Sequence, residues 1–170
     1  MPDVPCTKKE NNFDQILLSE LIPALGCTEP IAVALAASKA GETLAKLPET
    51  VLLECSGNII KNVKGVIVPN SGGKVGLEIA AAMGIASGRS DKGLEVLEGL
   101  SEEQLKLAED LVERKAIKVK VAAGEENLFI RVIAKAEAEE AEVVIKGSHN
   151  HIALIRKNEA ILHQDGGSGT

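Results

Sequence analysis

A cysteine placed beside a helix start is the feature of this sequence with the clearest chemical potential. Cys27 lies within residues 23–30, between a predicted amphipathic helix over 12–25 and a second predicted helix. Thr28 suits the cap of that second helix and Glu29 its positive end. A helix N-terminus lowers the pKa of a thiol, and the thiolate is the form that binds metal or attacks electrophiles. The alternative is a small, inert core cysteine.

A glycine-rich loop is the second candidate site. Adjacent glycines expose backbone amides directly before a predicted helix, and such an arrangement binds carboxylate or phosphate. A plain turn between a strand and a helix explains the same residues equally well, and the spacing of a Walker A motif is absent. Asn62, a little upstream, is a candidate for orienting the carboxylate or amino group of a ligand. The loop residues concerned are Asn70, Ser71, Gly72, Gly73 and Lys74.

Two histidines lie at a predicted junction between strands. Alternate residues of an extended chain face the same side, so His149 and His151 could converge on one ligand. A metal site there would need a third ligand, which the spacing does not supply. His163 is expected to be exposed and incidental.

Composition limits the classes of function. The chain has 170 residues, a net charge of −6 and only two aromatic side chains, both phenylalanine. Few aromatic platforms and a negative charge argue against nucleic acid as a partner. No signal sequence or membrane-spanning run is seen, and three cysteines without a CxxC pair indicate the reducing cytoplasm.

The order of the elements predicts an α+β fold, in which Ala-rich helices pack on a mainly antiparallel sheet. We expect a tail over 1–11, one domain over 12–163, and a tail or linker remnant over 164–170. Residues 56–58 are predicted to form a turn and the acidic residues 137–142 a solvated turn. Further helices are predicted over 30–46, over 75–87 and from the capping box at Ser101, and strands over 50–55, 66–68, 117–121, 128–135, 141–146, 151–156 and 160–163.

Several motifs occur together in an order that resembles the iron–sulfur L-cysteine desulfidases, which are related to the alpha chain of iron–sulfur L-serine dehydratases. They are residues 23–31 with their Gly-Cys-Thr-Glu-Pro core, Lys61-Asn62 followed by Gly65-Val66 and Pro69, and residues 93–97. The resemblance covers residues 17–155. Members of that family are longer, so the chain corresponds to their N-terminal lobe.

The resemblance implies a lyase that releases sulfide or water, and ammonia, from L-cysteine or L-serine to give pyruvate. Cys27 would ligate a 4Fe–4S cluster, His149 would be catalytic, and Asn62 with the loop at 70–74 would hold the substrate carboxylate. Only Cys27 matches a cluster ligand, so we expect the isolated chain to lack the cluster and to be inactive. His151 stands where the family has an amide side chain.

Two other classes of function remain open from the sequence. One is a cluster-free module that binds a small anion or another protein, and the other is an assembly domain. The expected partners are a small amino acid and a missing C-terminal half or separate subunit, and a homo-oligomer is also open. Neither nucleic acid nor a membrane is expected.

Overall fold

The computed structural model describes residues 28–124 and 128–164. The predicted helix over 12–25, together with Cys6 and Cys27, lies outside these ranges. The helices are α1 (Thr28–Leu44), α2 (Gly57–Val63), α3 (Leu77–Ser87) and α4 (Glu102–Glu113), with a 3-10 helix at Ser90–Glu95. The strands are β1 (Thr50–Cys55), β2 (Ile117–Val121), β3 (Phe129–Ala136), β4 (Glu139–Lys146), β5 (Ile152–Lys157) and β6 (Ala160–Gln164).

The strands form one six-stranded sheet in the order β2-β1-β3-β4-β5-β6. Only the β1–β2 pair is parallel, and every other pair is antiparallel. The α+β prediction with a mainly antiparallel sheet is therefore confirmed. Because β1, β2 and β4 run in the same direction, their C-terminal ends meet at one edge of the sheet, which we call the upper edge.

The Ala-rich helices form the layer on one face of the sheet. Along α1, every residue from Pro30 to Ser38 is buried, because alanine side chains let the sheet and the neighbouring helix approach closely. Helix α3 packs against α1, α4 and β2. The closest approach is at Gly84, where an added Cβ would lie 2.1 Å from the carbonyl oxygen of Ala34. The predicted close contact of two buried helices is correct.

Three local predictions differ from the structure. The predicted turn at 56–58 is the start of α2, a helix of 7 residues that is too short to show a helical hydrophobic period. The segment 66–68, predicted as a short strand or an extended piece, forms only an isolated bridge between Ile67 and Val75. The predicted solvated turn at 137–142 is wrong, because residues from Glu139 onward belong to β4.

Glu142 lies in β4 because two arginines from neighbouring strands neutralise it. Its carboxylate accepts hydrogen bonds from Arg131 at 2.5 Å and from Arg156 at 2.7 Å. Arg131 also donates to Glu54 at 2.9 Å, and Arg156 to Glu140 at 2.6 Å. Burial opposes ionisation of Glu142, but the hydrogen bonds from Arg156 and Arg131 outweigh it and lower its pKa.

Substitution of Glu142 by glutamine is expected to lower the free energy of unfolding at pH 7 by about 2 kcal/mol, since two arginines lose their shared counter-charge. The pKa of Glu142 is lowered in the folded state. Its stabilisation is therefore present above the unfolded value of about 4.3 and is lost as pH falls through the folded value. Urea unfolding of both proteins between pH 7 and pH 3 should show the difference shrinking with acid.

The matched control is Glu137→Gln, which makes the same chemical change at a carboxylate that is 73% exposed and 3.6 Å from Lys46. Exposed ion pairs contribute between about 0 and 1 kcal/mol. Equal effects of the two substitutions would contradict the stabilising role of the buried carboxylate.

Candidate functional site

A contact between a histidine and a glutamate joins the start of α1 to the loop between β4 and β5. The Nε2 atom of His149 lies 3.7 Å from Oε2 of Glu29, and both side chains are partly exposed. This distance is too long for a hydrogen bond but short enough for an ion pair when the imidazole is protonated. The contact brings His149 to the first turn of a helix that begins directly after Cys27 in the chain.

The first residue of α1 adds a polar group to this place. Thr28 is 2% exposed, and its hydroxyl oxygen has no hydrogen-bond partner among the described residues. Most buried hydroxyls in proteins are hydrogen-bonded, so an orphan is a position where a ligand can supply the partner. The N-terminus of a helix of 17 residues also favours negative charge. A carboxylate is therefore the ligand group that this corner fits best.

The two histidines of the loop do not meet at one site. His149 faces Glu29 on the side of α1. His151 instead lines an open groove with Phe129 and Leu154, which lie on the sheet face opposite the helices. The prediction that they converge is wrong, because the segment around 149–150 forms a turn rather than an extended strand.

The glycine loop uses much of its own hydrogen-bonding capacity. The side-chain hydroxyl of Ser71 donates to the carbonyl of Lys74 and accepts from its amide. Asn70 donates to the carbonyl of Leu97 at 3.0 Å, and the Lys74 ammonium lies 3.4 Å from Glu109 of α4. Gly72 and Gly73 remain exposed, each with a positive φ. This geometry is that of a self-closed turn.

The loop and His149 lie at different places on the sheet. Val75, directly after the loop, shares a groove with Ile117 and Lys118 at the start of β2. His149 follows the end of β4, which is three strand positions from β2 and at the opposite end of the strands. Three strand spacings amount to about 14 Å. The expectation that one small amino acid contacts both the loop and His149 does not fit this arrangement.

Asn62 and Cys27 are the remaining predicted site residues, and Cys55 is the one cysteine among the described residues. Asn62 is exposed in the last turn of α2, a helix that begins at the upper edge. Cys55, at the end of β1, is buried, and burial together with the Glu54 charge raises the pKa of its thiol to about 12. That thiol is protonated at neutral pH, and it belongs to no group of three possible metal ligands among the described residues. The role of Cys27 stays a prediction because it lies outside the described residues.

The partnership of Glu29 with His149 is the feature that the sequence did not predict. Glu29 was expected only to favour the positive end of its helix, which it also does. No local spacing in the sequence links Glu29 to the loop between β4 and β5, which lies far away along the chain. The one available signal was the combination of a glutamate at a helix start, Glu29, with a histidine, His149, in a connection at the same end of the sheet.

Comparisons with known proteins find relatives of greater length. The chain is 47% identical over 155 residues to the UPF0597 protein of Finegoldia magna, and 42% identical over 156 residues to that of Treponema denticola. These matches cover 91% and 92% of this chain but 37% and 36% of the relatives. The chain therefore spans about a third of the length of the curated relatives it matches. No family model and no solved structure matches it.

These relatives correct the resemblance drawn from the motifs. A third relative, from Parabacteroides distasonis, is 45% identical over 143 residues and is again named a UPF0597 protein. None of these three names mentions a desulfidase or a dehydratase. The assignment to the iron–sulfur L-cysteine desulfidases is thus wrong, and the relatives found are UPF0597 proteins. Within the described ranges, no helix has the length and apolar character needed to cross a membrane.

Proposed function

We propose that this chain supplies one wall of the active site of a cytoplasmic amino-acid lyase, which acts on L-cysteine or L-serine. The observation that carries the proposal is the His149–Glu29 pair at the start of α1, at 3.7 Å. In this pair, an imidazole and a carboxylate lie beside the N-terminus of α1, which directly follows Cys27 in the sequence. The remainder of such a site would come from another part of a longer protein or from a separate subunit.

The chain's residues suit the proton-transfer half of a β-elimination. The helix N-terminus and the Thr28 hydroxyl would hold the substrate carboxylate, and His149 would take the proton from Cα. The Cα–H electron pair forms the Cα–Cβ double bond as the bond from Cβ to sulfur or oxygen breaks. The leaving group takes up a proton to become hydrogen sulfide or water. The aminoacrylate tautomerises to an imine, which water hydrolyses to pyruvate and ammonia.

Glu29 would act on the imidazole rather than on the substrate. A carboxylate near one ring nitrogen attracts the protonated ring and would hold it beside α1 by charge rather than by a hydrogen bond. The imidazolium formed after proton transfer would also have its counter-charge 3.7 Å away. Glu29 is therefore proposed as a positioning residue.

The described residues do not by themselves fit an iron–sulfur cluster. Within residues 28–124 and 128–164, no three His, Cys, Asp or Glu side chains come together as metal ligands. The one described cysteine, Cys55, is held as a thiol. Such clusters are held by several cysteine thiolates. We therefore assign no step of the reaction to a cluster bound by these residues.

A cluster-free site for small anions is the second candidate. The unpartnered Thr28 hydroxyl at a helix start favours it, because that pair of features needs only a carboxylate or phosphate as ligand. The two candidates differ in what must approach His149. A lyase substrate brings its Cα to the imidazole, whereas a simple anion needs only the helix start.

Titration of the chain with L-serine, followed by NMR of the histidine rings, is expected to shift the His149 resonances saturably. His163 provides an internal control, since its ring is exposed on β6 and its Nε2 lies 3.0 Å from the carbonyl oxygen of Ile152. Its resonances should not move. The same titration of Glu29→Gln should give a weaker shift at His149, because the ring loses its orienting partner.

Acetate distinguishes the two candidates in the same experiment. A response to L-serine but not to acetate supports the lyase site, and equal responses support simple anion binding. If neither compound moves the His149 resonances, both proposals are overturned.

A further inference from the structure

One face of the sheet carries no helix in the described part of the chain. Residues that pair directly across neighbouring strands have their side chains on the same face. The face opposite the helices runs from Lys118 beside Leu52, on β2 and β1, to Glu142 beside Arg156, on β4 and β5. We call it the open face. Its charged members are Lys118, Lys120, Glu54, Arg131, Lys135, Glu140, Glu142, Lys146 and Arg156.

The open face is positively charged on an acidic chain. It has six cationic side chains against three carboxylates, whereas the whole chain has a net charge of −6. The three carboxylates are already paired with Arg131, Arg156 and Lys135. Lys118, Lys120 and Lys146 have no ion-pair partner among the described residues. Carboxylates from outside the described chain would complete their pairing.

Apolar side chains lie between these charges. Ile133 is 9% exposed and Val144 8% exposed, although no helix of the described ranges covers them. Toward the upper edge, Val144 and Phe129 line a groove of about 570 Å³ that reaches His151. The groove therefore connects the centre of the open face to the loop that carries His149.

We propose that the open face docks the part of a longer protein that corresponds to the length of the curated relatives not spanned by this chain. Its contact surface is expected to combine carboxylates, which meet Lys118, Lys120 and Lys146, with apolar side chains that pack on the partly exposed Phe129 and Leu154. Complementary charge of this kind sets the register of an interface. The proposal is independent of the lyase reaction, because it concerns association alone.

The test uses a chimera in which this chain replaces the matching segment of the Finegoldia magna protein. Lysine acetylation is followed by mass spectrometry in the chimera and in the chain alone. Because a docked surface excludes solvent and reagent, Lys118, Lys120 and Lys146 should react about tenfold more slowly in the chimera. Lys106, exposed on α4, is the control and should react equally in both.

Equal rates for the three lysines in both proteins overturn the proposal. Protection that appears in the chain alone as its concentration rises also overturns it, because the occupant would then be a second copy. If the chimera does not fold, hydroxyl-radical footprinting of the intact Finegoldia magna protein replaces it. The side chains that align with Phe129 and Leu154 should be protected there, and full reactivity at both positions would contradict the proposal.

Discussion

Replacement of Gly84 by alanine is expected to lower the free energy of unfolding by about 3 kcal/mol or more, the upper range for overpacked cores. The added Cβ would lie 2.1 Å from the carbonyl oxygen of Ala34 and 2.7 Å from its Cα. Both are backbone atoms of α1, so no side-chain rotation relieves the clash and the two helices must move apart. Thermal unfolding should show a melting temperature about 10 °C lower.

Gly41→Ala is the matched control for this substitution. Gly41 lies on α1 at the same helix–helix contact, but its added Cβ would be 3.8 Å from Ile85, an ordinary van der Waals distance. Alanine is favoured over glycine inside a helix by about 1 kcal/mol, so Gly41→Ala should be neutral or slightly stabilising. If Gly84→Ala melts at or above the temperature of Gly41→Ala, the close crossing of α1 and α3 is wrong.

His149→Gln is expected to lower the rate of amino-acid elimination by about 10²–10⁴-fold in the chimera with the Finegoldia magna protein, as removal of a general base does. Glutamine preserves a polar side chain of similar reach but cannot take the Cα proton at neutral pH. Steady-state pyruvate release should show the loss in kcat, with KM changing little, because the imidazole is needed for proton transfer more than for binding.

His163→Gln is the control for loss of a histidine, since His163 lies on the exposed strand β6. It should leave kcat unchanged. Glu29→Gln should lower kcat less than His149→Gln does, and the double substitution should be no worse than His149→Gln alone. If the losses of kcat from Glu29→Gln and His149→Gln were fully additive in the double substitution, Glu29 would act independently of His149. That result would place Glu29 in contact with substrate and contradict its positioning role.

The elements of this fold follow from local patterns where those patterns are strong. The capping box at Ser101 forms as predicted, with its hydroxyl accepting from the amide of Gln104. The alternation over 117–121 gives β2, and the alanine content of α1 and α3 gives two buried, closely packed helices. In each case the signal lies within one element and depends on no distant residue.

The predictions that failed concern contacts between residues that are far apart in the sequence. A run of acidic residues is most often solvated, but Glu142 is held in the sheet by Arg131 and Arg156, which lie on neighbouring strands. The prediction for His149 and His151 assumes an extended backbone, but the structure has a turn at this place. The pairing of Glu29 with His149 depends on the crossing of α1 over the sheet. Such contacts depend on tertiary packing, and the spacing of residues within one helix or strand does not predict them.

The part of the predicted site that the fold keeps together is therefore smaller than the sequence suggested. His149 meets the helix start that follows Cys27, whereas the ion pair of Lys74 with Glu109 connects the glycine loop to α4. An amino-acid site on this chain would thus be built on the upper edge alone.

Pyruvate release under anaerobic conditions is the measurement that tests the proposed function most directly. The chimera, after incubation with iron and sulfide, is supplied with L-cysteine or L-serine, and pyruvate is followed with time alongside the isolated chain. We expect pyruvate from the chimera with at least one of the two substrates, none from the isolated chain, and loss of the signal in His149→Gln. A folded chimera that releases no pyruvate from either substrate, or one whose activity survives His149→Gln, would contradict the proposal.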